Sequence, residues 1–304
     1  MKRKIVRQGK ATLMISLPTK WCHEYNLQKG GEVDVEIKEG SVLINATPHA
    51  QRRETTIALA GLVESAIRTV ITNTYRTGFD RIRVNIANDE QYSIVQQVIK
   101  NNLIGFDITK KEKEYLIIEN ITEPGSEHFE NLLTKIFYNI LELFTYTSDR
   151  LKGKKPIEDY HEIESRIQQY DNFCRRVITK QNIDHERNPL FWTFLTLMIH
   201  GQRELYLANT YLDAHAFKVS KETNALLERI KAVFEHIMDA YLKKDITLLE
   251  SIHAEEKTLI YNESYFLLEK KHGKESVLLY HFSASLRNFY LSSSPLIGLI
   301  LRNK

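Results

Sequence analysis

From residue 126 to residue 304 the apolar side chains recur at three- and four-residue spacing, with breaks at Gly153 to Pro156, Asn188-Pro189, Val219-Ser220, Asp245 and His272-Gly273. A run this long at helical period, in a chain of 304 residues with 12 glycines and 6 prolines, leaves too few turn signals for an all-β fold. The pattern predicts six helices over 126–151, 157–183, 189–217, 220–243, 245–271 and 275–300. Short connections make successive helices antiparallel neighbours, so two consecutive three-helix units are expected. The second helices start at 157 and 245 and the third at 189 and 275, nearly equal intervals that hint at an internal repeat.

The first fifty residues follow a different period. Leu13, Ile15 and Leu17 alternate with Thr12, Met14 and Ser16 until Pro18 ends the strand. Trp21 and Tyr25 stand one helical turn apart, and Lys29-Gly30-Gly31 forms a turn. Val33, Val35 and Ile37 then alternate with charged residues, and Glu39-Gly40 leads into Val42-Leu43-Ile44, a hairpin with one apolar face. A module this small cannot bury that face alone. Two chains that interleave their hairpins would solve the problem, and a homodimer is expected here.

Between these regions the period changes twice. Ile57, Leu59, Ala60, Leu62, Val63, Ala66, Ile67, Val70 and Ile71 predict a helix from Arg53 to about Tyr75. A strand is expected over Arg81 to Ile86, a helix opened by Asp89 and stopped near Gly105, and further strands over Phe106 to Lys110 and Tyr115 to Ile121. The expected class is therefore α+β, mostly α: an N-terminal swapped-hairpin β domain over 1–48, a small α/β segment over 49–125, and antiparallel helical bundles over 126–304.

Composition excludes several functional classes. With 42% hydrophobic and 27% charged residues the chain is neither disordered nor fibrous. Cys22 and Cys174 stand far apart with no zinc-type spacing, so neither a disulfide framework nor a local zinc site is expected. The eleven histidines form no HxH or HExxH pattern, and no nucleophile elbow, phosphate loop or dinucleotide fingerprint occurs. No enzyme, cofactor or metal is expected. No stretch reaches the roughly 20 apolar residues of a membrane span, and no leader is visible, so the expected location is the cytoplasm, without membrane insertion.

Charge is unevenly placed. The net charge is +3, and residues 1–50 hold eight Lys/Arg against five Asp/Glu while the rest holds 34 of each sign. Lys2, Arg3, Lys4, Arg7 and Lys10 fall within the first ten positions with no acid among them, a field suited to a phosphate backbone.

The segment Met14-Ile15-Ser16-Leu17-Pro18-Thr19-Lys20-Trp21, followed by Leu27-Gln28-Lys29-Gly30-Gly31-Glu32-Val33-Asp34-Val35, resembles the SpoVT/AbrB family of swapped-hairpin DNA-binding domains. Gly31 stands where that family usually carries an aspartate. The whole order of head, α/β segment and two three-helix units resembles the archaeal-type PhoU-related phosphate-uptake regulators. The resemblance implies a cytoplasmic homodimer that binds double-stranded DNA through its head and answers to phosphate status, or to a phosphate-transport or sensor-kinase component, through its bundles. On that reading Arg3, Lys4, Arg7 and Lys10 contact DNA, with Lys2 and Lys20 at the rim. The alternative is a signalling adaptor that acts on a phosphate transporter or its sensor kinase, with the head as a dimerisation clasp.

PhoU bundles usually carry an acidic pair spaced i, i+4 in each repeat, able to hold cations. Here the first third-helix offers His200 and Glu204 beside Arg203, and the last helix has no acid from Ser276 onward, so no metal cluster is expected. Asp171, Glu164, Asp239, Glu255 and Glu256 read as charges on solvated helix faces.

Overall fold

The computed structural model describes the chain except residues 1, 10–11, 39, 47–51, 123–124, 155–157, 182–186 and 302–304, and except the side chains of 36, 38, 126, 181, 251 and 255–257. It contains two compact units, Met1–Arg53 and Glu54–Lys304.

The first unit holds two separate antiparallel hairpins around one short helix. Strands β1 (Ile5–Gln8) and β2 (Thr12–Ile15) pair with Ile5 opposite Ile15 and Arg7 opposite Leu13. Helix α1 (Thr19–Glu24) starts after Pro18, whose fixed φ of −65° suits a helix entry. Strands β3 (Asp34–Lys38) and β4 (Ser41–Asn45) pair with Val35 opposite Ile44 and Ile37 opposite Val42. Sequence pattern located β2, α1, β3 and β4 but not β1, where adjacent Ile5 and Val6 followed by Arg7 and Gln8 show no period of two. No described residue of this unit is buried.

The second unit begins with strand β5 (Glu54–Ala58), where a helix from Arg53 was expected. Thr55, Thr56 and Ile57 are β-branched and pair in parallel with β6 (Arg81–Asn85), and Gly61 at φ +76° turns the chain before α2 (Glu64–Arg76) starts. Helix α3 (Asp89–Asn102) is capped one residue earlier than expected: the Asn88 side chain accepts the Gln91 N–H at 2.9 Å, and Gln91 in turn accepts the Ala87 N–H. Strands β7 (Phe106–Lys111) and β8 (Tyr115–Asn120) complete a four-stranded sheet in the order β5-β6-β8-β7. Ile82, Val84, Leu116 and Ile118 face α2 and α3 in one apolar core.

The helical region follows the expected spans closely. It comprises α4 (Phe129–Leu151), α5 (Tyr160–Gln181), α6 (Asn188–Ala214), α7 (Lys221–Lys243), a broken run, and α10 (Lys274–Ile300). The broken run carries α8 (Glu250–Glu256), a π-helical stretch over Lys257–Ser264 and α9 (Tyr265–Lys270), in place of one continuous helix. The Ser264 hydroxyl donates to the Leu259 carbonyl five residues back, a reach that matches the wider turn. All of these helices share one apolar core. Helices α6 and α10 approach so closely that a Cβ on Gly201 would stand 2.6 Å from the Phe289 ring.

A polar seam fastens the sheet layer to these helices. Arg176 of α5 is fully buried and donates to the carbonyls of Tyr75 (3.0 Å) and Phe79 (2.8 Å) and to the Asp80 carboxylate (2.6 Å), with its guanidinium over the rings of Tyr75 and Phe106. Lys180 shares Asp80 at 2.6 Å. One turn earlier Asp171, fully buried, pairs with Arg76 and Arg175, both at 2.9 Å. Asn172 donates to the Asn102 carbonyl and Ser165 to that of Asn101. Helix α5 thus lays cations and donors against the C-terminal carbonyls of α2 and α3, where the helix dipole is negative.

The expectation that Asp171 and Glu164 line a solvated face is therefore overturned. Both are buried, and Glu164 accepts from Arg203 at 2.8 Å and Gln168 at 3.0 Å. Their partners lie on other elements or a turn away, which residue spacing on α5 alone does not disclose.

Candidate nucleic-acid interface

The cationic run occupies the start of the first unit. Lys2, Arg3 and Lys4 precede β1 and are exposed, and the Arg3 guanidinium donates to the hydroxyl of Ser16, the residue after β2, at 3.5 Å. Arg7 lies within β1, directly across from Leu13, on the face that also carries Ile5 and Ile15. The opposite face carries Val6, Gln8, Thr12 and Met14. Lys20 is exposed on the first turn of α1. Lys10 lies outside the described residues.

Hairpin pairing therefore brings Arg3 and Arg7 onto the same two-stranded element, with Lys2 and Lys4 beside Arg3 along the chain. The place of Arg7 in a strand fixes its direction relative to Leu13. The β1–β2 hairpin, which carries Arg7, is a two-stranded ribbon, an element slender enough for the major groove.

The two hairpins leave a large apolar surface in solvent. Ile5 is 68% exposed, Leu13 67% and Ile37 86%, and Val6, Met14, Ile15, Val35, Val42 and Leu43 are exposed as well. A lone two-stranded hairpin is marginally stable in water. At about 1.5–3 kcal/mol per fully buried side chain, covering even half of this surface is worth on the order of 10 kcal/mol.

Polar clusters in the second unit are closed on themselves. Tyr160 is buried and donates to Asp213, which also pairs with Arg150 at 2.5 Å. Burial, then the Asp213 hydrogen bond, pushes the Tyr160 phenol up to about 12, so it stays protonated at neutral pH. Tyr241 donates to Glu130 at 2.8 Å, and burial again raises its phenol above the usual range. His200 is exposed and does not join Glu204, which instead meets His281 of α10 at 2.7 Å. Arg203 pairs with Glu164. Among the described residues no group of three or more His, Cys, Asp or Glu is placed to hold a metal ion, and no helix is long and apolar enough to cross a membrane.

Compared with known proteins, the chain matches no family model, no curated protein and no solved structure.

Proposed function

We propose that the chain is a cytoplasmic, homodimeric transcription regulator of phosphate uptake, in which the first unit binds double-stranded DNA and the helical second unit senses the effector or a phosphate-transport partner. One observation carries the reading: the unit that concentrates the positive charge is also the unit without a single buried described residue. Such a unit gains stability from a second copy, and the second copy doubles the cationic surface. Two swapped hairpins then bury Ile37, Val42 and their neighbours against each other, as in the SpoVT/AbrB family that the motif resembles. The PhoU-like reading of the bundles rests on the resemblance of the whole order of head, α/β segment and helical units.

Lys2, Arg3, Lys4, Arg7, Lys10 and Lys20 are the DNA contacts in this proposal. Of these, Arg3 and Arg7 of both chains alone neutralise about four phosphates per dimer. A fourfold rise in salt then weakens binding by roughly 100-fold through counterion release. The test is fluorescence anisotropy on a labelled fragment upstream of phosphate-transport genes, over a salt series, with Arg3→Glu/Arg7→Glu as the control. Steep salt dependence that disappears in the control supports the proposal. A folded dimer that binds no DNA at low salt sinks it and points to the adaptor role, which the balanced charge of the remaining chain, 34 of each sign beyond residue 50, also fits.

A further inference from the structure

We propose that the cleft between α3 and the outer edge of β7 is a docking groove for an extended acidic segment of a partner protein, which adds to the sheet as a fifth strand. Strand β7 ends the sheet, with β8 on one side and no described strand on the other. Along it runs a cleft of about 580 Å³, walled by Tyr92, Gln96 and Lys100 of α3 and by Phe106 to Lys111 of β7. A strand edge beside a helix is the geometry in which peptides bind by strand addition: backbone hydrogen bonds give affinity and the flanking side chains give selection. Strand β7 spans six residues, about 20 Å, with a bulge between Ile108 and Lys110 that divides its edge.

The charges choose the occupant. Lys100, Lys110 and Lys111 line the groove against the single acid Asp107. Lys110 also reaches Glu112 (3.0 Å) and the Tyr115 hydroxyl (3.1 Å), and Lys111 sits 3.4 Å over the Tyr92 ring. Lys100 has no partner among the described residues. Lysines on an edge repel basic strands and discourage pairing with uncharged ones. The same lysines attract a strand that presents carboxylates at alternate positions. The Asp107 carboxylate accepts the Ile108 backbone N–H at 2.7 Å, so an incoming strand must displace that carboxylate to pair there. Beneath the rim, Ile99 and Phe106 are buried and supply an apolar floor for the alternate side chains.

The probe is a fluorescein-labelled peptide of alternating Val and Glu, titrated against the full chain. The expected result is saturable binding that weakens with salt, falls at least tenfold in Lys100→Glu/Lys111→Glu, and reverses preference there toward a Val-Lys peptide. Amide exchange over residues 106–111 slows on binding. Because the first unit is cationic, Arg3→Glu/Arg7→Glu serves as the second variant, and binding in it stays as in the parent. No binding, binding unaffected by the groove charges, or binding lost in the head variant overturns the proposal. So does exchange protection over 106–111 that depends on protein concentration without peptide, which would assign the edge to a second copy of this chain.

Discussion

The two units solve the problem of burial in opposite ways. Residues 54–304 bury aromatic and aliphatic side chains from both helices and strands, and even enclose the guanidinium of Arg176. Residues 1–53 have regular pairing and correct alternation, yet Ile37 remains 86% exposed. Secondary structure therefore forms in both, but only the second unit encloses a core within one chain. The difference teaches where a partner acts: an apolar face that its own chain leaves open is where association changes stability, and a closed core is where it does not.

The largest effect should come from breaking the closed unit at its seam. Arg176→Ala takes a buried cation from Asp80 and a donor from the Tyr75 and Phe79 carbonyls, so a loss of about 3–5 kcal/mol in denaturant unfolding of the second unit is expected. A loss below about 1 kcal/mol would mean that the apolar contacts alone hold the sheet layer to α5.

Next in size is Gly201→Ala. The new methyl meets the Phe289 ring, and forcing α6 from α10 is expected to cost about 1–3 kcal/mol. An unchanged melting temperature would show that Phe289 can turn aside freely.

The third test moves to the open unit. Ile37→Asp places a charge on the exposed apolar face and should weaken self-association at least tenfold, about 1.4 kcal/mol, in sedimentation across a concentration series. The unfolding of the second unit should not move. If both change together, the two units are not independent in stability and the contrast drawn here fails.

The smallest effect is one of pH. Burial holds the Glu164 carboxyl above its usual range despite Arg203. A raised carboxyl binds its proton more tightly in the folded state, so it costs no stability below the ordinary carboxylate range and a growing amount as pH rises from there to the folded value. Glu164→Gln should therefore gain stability relative to the parent as pH rises through that window and then hold the gain, measured by thermal unfolding. A gain confined to acid would reverse the sign and contradict the burial.

The residues of the candidate interface are partly legible in the sequence. Lys2, Arg3, Lys4 and Arg7 stand out as a run of like charge, a property of neighbours in sequence. Strand β1 was hidden because Ile5 and Val6 are adjacent and Arg7 and Gln8 follow, so the apolar residues show no period of two. The helical spans were legible because a buried stripe repeats every three or four residues whatever lies opposite it. The strand at Glu54–Ala58 was not, because Ile57, Leu59 and Ala60 fit a helical stripe as well as a strand, and only pairing with β6 decides between them.

What the sequence by itself determined is local: where the period is two or near 3.6, where turns fall, and which end carries the charge. The tertiary structure alone decided which charges go inside. Asp80 and Arg176 are 96 residues apart, as Arg76 and Asp171 are 95, and nothing in the neighbourhood of any of the four announces its partner. An ion pair is buried only when the path of the chain delivers the opposite charge to the same place, because an unpaired charge there would be too costly to keep.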